Sequence, residues 1–306
     1  MSARASESGE HLPVTETVNA ETHGLDTLGT EALVALLARE QSAAAAAVAQ
    51  ATPAVARAVE AIVARLRAGG TLHYVGAGTS GRLAMLDAAE CPPTFGTPPS
   101  LVVAHVAGGA DALVRAVEGA EDDADAGAAE LRASVRAGDA VVGISAGGGA
   151  PYVVGALRAA RDAGALTIAL TSVAGSALVA AAELAIVVET GPEPLSGSTR
   201  LKAGTAAKLV LNALSTATMV GLGRVYDNVM VDLVATNAKL RARAERLVRT
   251  VAGVDAPRAH ALLDAAGGNV KVAIAMQRRG VDAENARALL AASGGFLRPV
   301  IKADER

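Results

Sequence analysis

The sequence predicts an α/β fold, with a five-stranded parallel sheet sandwiched by helices, N-terminal helices and a small C-terminal helical unit. Short unbroken apolar runs alternate with helical stretches in the middle of the chain, a pattern typical of parallel strands buried on both faces. The predicted strands are Leu72–Val75, Leu101–Val106, Ala140–Ile144, Leu166–Leu170 and Leu184–Val188. Two of these strands are followed by glycine-rich loops, at the edge where such sheets bind ligands.

The elements follow in order along the chain. Residues 1–22 form an arm without apolar periodicity, and an alanine-rich helical pattern over 31–66 is broken at Thr52-Pro53, because proline suits the first turn of a new helix. Helices between the strands are expected at Gly81–Glu90, Asp111–Ala120, Asp125–Ala137, Pro151–Ala163 and Ser176–Ala182. Further helices are expected from Lys202 to Gly223, within 229–250, and at roughly 256–266, 269–279 and 282–292. We expect three regions: an arm and helix (1–57), an α/β domain (58–225) and a helical region (226–306).

The composition argues against several functional classes. Only 2% of the 306 residues are aromatic, too few for a platform that stacks single-stranded nucleic acid. The net charge of −3 gives no attraction to DNA or to an acidic membrane. The single cysteine, Cys91, excludes a disulfide framework, and the five histidines lack metal-ligand spacing. We expect a soluble, cytoplasmic protein without metal, cofactor, nucleic-acid partner or membrane partner.

A glycine-rich loop, Gly76-Ala77-Gly78-Thr79-Ser80-Gly81, lies between the first strand and the next helix. Backbone N–H groups at a helix N-terminus favour an anion, and the two hydroxyl groups suit a phosphate ester. The loop also satisfies GxGxxG, but the second strand ends without the acidic residue that a dinucleotide site needs. The alternative is a helix cap that binds nothing. The position after the first strand favours a phosphate ligand.

Two later loops are further candidates. The loop after the third strand, Ser145-Ala146-Gly147-Gly148-Gly149, precedes a helix that begins with proline and presents free amides. Turn chemistry alone also explains its glycines. The third cluster runs from Leu195 to Thr205 and places Ser198 and Lys202 before a long helix. Its cations either reach a phosphate or carboxylate or are solvated, and the pattern does not decide between these two outcomes.

Two groups of carboxylates are candidates for acid–base chemistry. Glu90 comes directly before Cys91-Pro92-Pro93, and these prolines predict the end of the helix at that point. A carboxyl group near a helix C-terminus is favoured in its protonated form, which suits a general acid. Glu118 and Glu121 share a helical face if the helix continues, and crowded carboxylates suit a base. The alternative for Glu90 is an ordinary surface glutamate. The alternative for 118–123 is a solvated acidic turn, which the pattern alone favours over a catalytic base.

The segment Val75–Pro98, VGAGTSGRLAMLDAAECPPTFGTP, resembles the signature of the N-acetylmuramic acid 6-phosphate etherases, which have the SIS (sugar isomerase) fold. The ECPPT motif within the glycine-loop context is far more specific than GxGxxG. The resemblance covers nearly the whole chain and extends to AGGADALVRAVEGAEDD (107–123), SGSTRLKAGTAAKLVLNALST (196–216), DNVMVDLVATNAKL (227–240), LPVTETVNAETHGLDTL (12–28) and GGF (294–296).

The resemblance implies cleavage of the D-lactyl ether of N-acetylmuramic acid 6-phosphate, by elimination and then hydration, to N-acetylglucosamine 6-phosphate and D-lactate. By this resemblance Glu121 is the base at C2, and Glu90 is the acid that protonates lactate and later activates water. Glu118 is the rival base. We expect the substrate to be bound by Gly78, Thr79, Ser80, Ser145, Ser198 and Lys202. The resemblance also implies a homodimer.

The chain departs from the family pattern in the loop after the third strand. Relatives usually carry hydroxyl and basic residues there, whereas this chain has Ala146-Gly147-Gly148-Gly149-Ala150. Our hypothesis is that Ser145 and the loop amides bind the phosphate instead. This depleted loop keeps open the alternative of a non-catalytic regulatory protein that binds sugar phosphates, like the glucokinase regulatory protein. A sugar-phosphate isomerase is the third interpretation, from which ECPPT points away.

Overall fold

The computed structural model describes residues 12–233 and 238–301. Its centre is a five-stranded, all-parallel sheet in the order β2-β1-β3-β4-β5. The strands are β1 (Leu72–Gly76), β2 (Val102–Val106), β3 (Ala140–Ile144), β4 (Leu166–Thr171) and β5 (Leu184–Val187). β1 lies between β2 and β3, so that Leu72 pairs with Val102 on one side and Ala140 on the other. The predicted fold class is confirmed.

Helices cover both faces of the sheet. The helices of the α/β region are α1 (Thr30–Gln50), α2 (Thr52–Arg67), α3 (Gly78–Phe95), α4 (Ala124–Ser134), α5 (Pro151–Asp162), α6 (Ala177–Ala181) and α7 (Lys202–Gly221). Apolar residues of α2, α3 and α7 pack on one face, and those of α4, α5 and α6 on the other. Because strand side chains alternate between faces, Tyr74 enters the first core and Val75 the second.

The C-terminal region has a hydrophobic core of its own. It begins with an antiparallel pair, β6 (Val225–Tyr226) and β7 (Val229–Met230), and continues with α8 (Ala238–Ala252), α9 (Ala256–Ala265), α10 (Val270–Arg279), α11 (Ala283–Ala292) and α12 (Leu297–Ile301). The buried Lys271 ammonium joins the segments by donating to the carbonyls of Gly223 (2.8 Å) and Gly295 (2.9 Å) and to the Asp232 carboxylate (2.5 Å). The hairpin replaces the first part of the helical pattern expected over 229–250.

Two expected helices differ in the structure. α3 does not end before Pro92 and Pro93 but continues to Phe95, and Gly96 ends it in a left-handed conformation (φ 62°). A Cβ at Gly96 would lie 2.1 Å from the Asp232 carbonyl oxygen, so glycine is required there. The helix expected over 111–120 is absent. Two short 3-10 turns, Gly109–Leu113 and Ala120–Asp122, stand in its place, and Gly119 before the second turn takes a positive φ.

The N-terminal part is more ordered than the expected arm. Within the described residues it forms three single 3-10 turns, Val14–Glu16, Ala20–Thr22 and Leu25–Thr27, before α1. The boundary expected after residue 57 falls inside α2, whose buried face packs against the sheet.

Helix α1 is long and apolar enough to cross a membrane by length and composition alone, and only 11% of that stretch is buried. Leu36 and Ala44 supply its buried contacts. Its polar residues Glu40 and Gln41 bind Lys202 and Thr205 of α7. The opposite side presents alanines and Val34, which is 59% exposed, as an uncovered apolar face.

Candidate functional site

A cavity of about 540 Å³ lies at the carboxyl edge of the sheet, where β1 and β3 end. Its wall is built mainly from the loop from β1 into α3, the loop from β3 into α5, the 3-10 turn before α4, the end of β4 with Ser172, the residue after β5, and the start of α7 with the loop before it. Residues of the N-terminal turn complete the wall. Its principal polar side chains are those of Glu16, Thr79, Ser80, Glu121, Asp122, Ser145, Thr171, Ser172 and Thr199.

The loop from β1 into α3 forms one wall. α3 begins at Gly78, and Gly78, Thr79 and Ser80 all line the cavity. The turn is tight because Gly76 and Gly81 are in close contact: a Cβ at Gly76 would lie 2.6 Å from the Gly81 nitrogen. The first N–H groups of α3 therefore face the cavity together with two hydroxyl groups, an arrangement that suits a phosphate.

The loop from β3 into α5 forms the adjoining wall. Ser145 is buried and lines the cavity, together with Gly147 and Gly149. Gly148 has φ 69°, and a Cβ there would lie 2.2 Å from the Ser176 hydroxyl. Steric contact thus accounts for this glycine, and the loop offers amides and a single hydroxyl side chain.

The structure separates the two candidate bases. Glu121 and Asp122, on the 3-10 turn before α4, line the cavity, whereas Glu118 is exposed outside it. Gly119 lies between them with φ 74°, so Glu118 and Glu121 do not share a helical face as expected. The segment just before Glu118 is held by Arg82 of α3, which donates to the carbonyls of Leu113 (3.4 Å) and Arg115 (3.1 Å).

Glu90 is not in the cavity of the same chain. It lies twelve residues beyond the start of α3, which at 1.5 Å per residue is about 18 Å along the helix axis. It is exposed and stands five residues before the end of α3 rather than at its C-terminus. The structure therefore does not bring Glu90 and Glu121 together within one chain.

Asp87 lies one helical turn before Glu90 on α3, and its buried side chain marks the side of the helix that faces the core. Its carboxylate accepts hydrogen bonds from the Tyr74 hydroxyl and the Ser215 hydroxyl, both at 3.1 Å. Burial raises the pKa of Asp87 above its ordinary value. These contacts join β1, α3 and α7.

Ser198 and Lys202 also lie outside the cavity lining. The Lys202 ammonium is buried and binds the Glu40 carboxylate of α1 at 3.0 Å. The N-terminus of α7 is already occupied, because the buried Glu193 carboxylate accepts hydrogen bonds from the amides of Lys202 (2.8 Å) and Ala203 (2.9 Å). Thr199, which sequence reasoning did not single out, lines the cavity instead of Ser198.

Glu16 is the carboxylate that sequence reasoning missed. It lines the cavity from the first N-terminal turn, together with Pro13. The only signal in the sequence was its place in the segment 12–28, which belongs to the family resemblance.

A polar network connects the first two strands of the sheet to α4 and α5 through two buried histidines. The His73 and His105 rings contact each other at 3.0 Å, His105 contacts Glu130 at 2.9 Å, and the Tyr152 hydroxyl donates to Glu130 at 2.5 Å. Burial, with help from His105, lowers the pKa of His73 to about 4. The hydrogen bond from His105 lowers the pKa of Glu130, and burial raises that of Tyr152. The hydrogen bond between Tyr152 and Glu130 links α5 to α4.

The cavity carries negative charge. Three carboxylates line it and no lysine, arginine or histidine does so among the described residues. In the described part of the chain, no group of three His, Cys, Asp or Glu side chains is arranged to hold a metal ion. The cavity chemistry is thus that of carboxylates, hydroxyls and backbone amides.

Comparisons with known proteins place this architecture in a family. A family model described as the SIS domain matches residues 120–217, and one described as the glucokinase regulatory protein N-terminal SIS domain matches residues 54–161. The solved phosphoheptose isomerase of Francisella tularensis covers 62% of this chain and 98% of its own, with a TM-score of 0.51 and 22% identity. That likeness shows the fold alone.

Two relatives are similar over most of the chain. The N-acetylmuramic acid 6-phosphate etherase of Gloeobacter violaceus is 54% identical over 267 residues, which are 87% of this chain and 87% of the relative. The protein of the same name from Pectobacterium atrosepticum is 50% identical over 274 residues, 88% of this chain and 90% of the relative. The chain belongs to the N-acetylmuramic acid 6-phosphate etherase family.

Proposed function

We propose that this etherase cleaves the D-lactyl ether of N-acetylmuramic acid 6-phosphate in the cavity at the carboxyl edge of the sheet. The observation that carries the proposal is Glu121, whose carboxylate lines the same cavity as the open N-terminus of α3. The α3 amides and the hydroxyls of Thr79, Ser80 and Ser145 bind the phosphate group. The products are N-acetylglucosamine 6-phosphate and D-lactate.

The reaction proceeds through the open-chain sugar, in which the aldehyde acidifies the proton at C2. The Glu121 carboxylate takes this proton, a double bond forms between C2 and C3, and the bond from C3 to the lactyl oxygen breaks. Glu90 donates a proton to that oxygen, because an alkoxide is a poor leaving group. Glu90 then accepts a proton from water as the water oxygen adds to C3, and C2 regains a proton from Glu121. Both glutamates return to their starting protonation states, and the net reaction consumes one water molecule.

We propose that Glu90 reaches this cavity from a second copy of the chain in a homodimer. The observation that supports it is the place of Glu90, which is exposed and lies about 18 Å along α3 from the cavity loop, outside the cavity of its own chain. The uncovered apolar face of α1 offers surface for such a dimer. The proposed place of action is the cytoplasm, in keeping with the buried free thiol of Cys91.

The first test is release of D-lactate from N-acetylmuramic acid 6-phosphate. Glu121→Gln is expected to lower kcat by about 100-fold to 10,000-fold, the usual contribution of general acid–base catalysis. Glu118→Gln is the matched control, because it lies three residues away and outside the cavity. Wild-type turnover in Glu121→Gln contradicts the assignment. Binding of the sugar phosphate without lactate release by the wild type favours the regulatory alternative.

The second test mixes two inactive variants, Glu90→Gln and Glu121→Gln, after dissociation and reassociation. If each site takes Glu90 from one copy and Glu121 from the other, random mixing restores about a quarter of wild-type activity, because mixed dimers contain one intact site. If both glutamates act from one chain, the mixture stays inactive. Sedimentation of the wild type measures the oligomeric state independently.

A further inference from the structure

An N-terminal strap, residues 12–19, is fastened to the rim of the cavity. The Gly197 amide donates to the Thr15 carbonyl at 3.2 Å, and the Ser196 hydroxyl donates to the Thr17 carbonyl at 3.5 Å. Asn19 donates through its side chain to Glu40 at 3.0 Å and to the Pro192 carbonyl at 3.4 Å. The strap is therefore attached to the loop that precedes α7 and to α1.

Glu16 stands between these attachment points and faces the cavity. Within the strap Thr15 is fully buried, whereas Glu16 is exposed and lines the cavity next to Gly197. Gly197 has φ 76°, and a Cβ added there would lie 2.8 Å from Glu16 Oε2. A residue with a side chain at 197 would both strain the backbone and displace this carboxylate. The position of Glu16 therefore depends on Gly197 and the hydrogen bonds that hold the strap to the loop before α7.

The Glu16 carboxylate has no hydrogen-bond or ion-pair partner among the described residues. A carboxylate only accepts hydrogen bonds, and it repels the phosphate of a ligand in the same cavity. The groups of an N-acetyl sugar phosphate that it can bind favourably are hydrogen-bond donors, namely the sugar hydroxyls and the acetamido N–H, and the hydroxyls and amides around the phosphate leave these free.

We propose that Glu16 is a substrate-binding residue that selects for the sugar portion of the ligand, by accepting hydrogen bonds from its hydroxyl or acetamido N–H groups. This rests on the proposed function, in which a sugar phosphate occupies the cavity. The strap then contributes to specificity, while the N-terminus of α3 binds the phosphate. Glu121 keeps its separate role as the base.

The test compares two ligands in calorimetric titrations of Glu16→Ala, Glu16→Gln and the wild type. Loss of a hydrogen bond to a charged group weakens binding of N-acetylglucosamine 6-phosphate by about 10-fold to 100-fold in Glu16→Ala. Inorganic phosphate binds the variant as well as the wild type or more tightly, because a neighbouring negative charge is gone. Glu21→Ala, an exposed glutamate on the next 3-10 turn and outside the cavity lining, binds both ligands as the wild type does.

Unchanged affinity of Glu16→Ala for N-acetylglucosamine 6-phosphate overturns the proposal. Equal weakening for both ligands also overturns it, because that result shows a loosened strap rather than a lost contact to the sugar. The 4-deoxy and 1-deoxy sugar phosphates identify the hydroxyl: the one in contact costs affinity in the wild type and nothing further in Glu16→Ala. Failure of the proposed function is seen separately, as absence of lactate release and of sugar-phosphate binding in the wild type.

Discussion

The N-termini of α3 and α7 lie next to each other beside the cavity, but the α3 end is open to the cavity and the α7 end is occupied by a side chain of the protein. The methyl group of Thr79 would lie 3.5 Å from a Cβ at Gly204, so their first turns are in contact. The first amides of α3 face the cavity, whereas those of Lys202 and Ala203 on α7 are bound by the buried Glu193 carboxylate. Both follow loops rich in glycine and hydroxyl residues. A loop of this composition therefore does not by itself identify an anion site; what matters is whether an internal carboxylate already occupies the helix end.

The largest expected difference between the N-termini of α7 and α3 is in the free energy of unfolding when the α7 end is changed. Glu193→Gln should lower the free energy of unfolding by about 2–4 kcal/mol, because two charge-assisted hydrogen bonds to buried amides are weakened or lost. Urea denaturation measures this change. Because Glu193 does not line the cavity, the KM of the folded variant should stay at the wild-type value. Glu189→Gln, an exposed glutamate on the same loop, is the control. A raised KM with unchanged stability contradicts the comparison.

Lowering the pH should reduce the stability of the fold through His73 on the packed face of the sheet, rather than through the open N-terminus of α3. His73 has a pKa of about 4 in the folded protein, against 6.5 in the unfolded chain. The unfolded chain therefore binds an extra proton between pH 6.5 and about pH 4, and stability falls as the pH decreases through that range, by up to about 3 kcal/mol. The measurement is urea unfolding at pH 7 and at pH 4.5. His73→Gln should show a smaller loss between the two values, and an equal loss would refute this role for His73.

At the open N-terminus the expected effect is on binding. The double variant Thr79→Ala, Ser80→Ala should raise KM for the phosphorylated sugar by about 30-fold, at about 1 kcal/mol for each lost hydroxyl. Its urea midpoint should change little, because neither hydroxyl has a hydrogen-bond partner in the described structure. Ser134→Ala, on α4 outside the cavity, serves as the hydroxyl control. A wild-type KM would show that the α3 end does not bind the phosphate.

The smallest effect belongs to the loop after β3. Ser145→Ala should raise KM by about fivefold, because one hydroxyl is lost while the loop amides remain. Steady-state kinetics with N-acetylmuramic acid 6-phosphate measure it. An unchanged KM would count against the hypothesis that Ser145 compensates for the glycines at 147–149.

Much of the fold followed from local pattern, and the errors have identifiable causes. The five strands were predicted within one residue or so of their bounds, because buried parallel strands are short unbroken apolar runs. The helix expected over 111–120 was wrong, since the first 3-10 turn ends at Leu113 and Gly119 takes a left-handed conformation before the second one. The end of α3 was misplaced because the prolines at 92 and 93 are tolerated, while Arg224 donates to the Phe95 and Gly96 carbonyls at 3.5 and 3.4 Å.

The sequence by itself determined the parallel sheet, the glycine loop that opens α3, and the family, because each rests on residues near one another in the chain. Only the tertiary structure decided which charged groups face the cavity. Glu16 enters it, Lys202 turns to Glu40, and Glu90 stays outside. These outcomes depend on contacts between residues far apart in sequence, such as Lys202 with Glu40 of α1 and the strap with Gly197. Burial makes those pairings obligatory, since a buried charge or amide must find a partner.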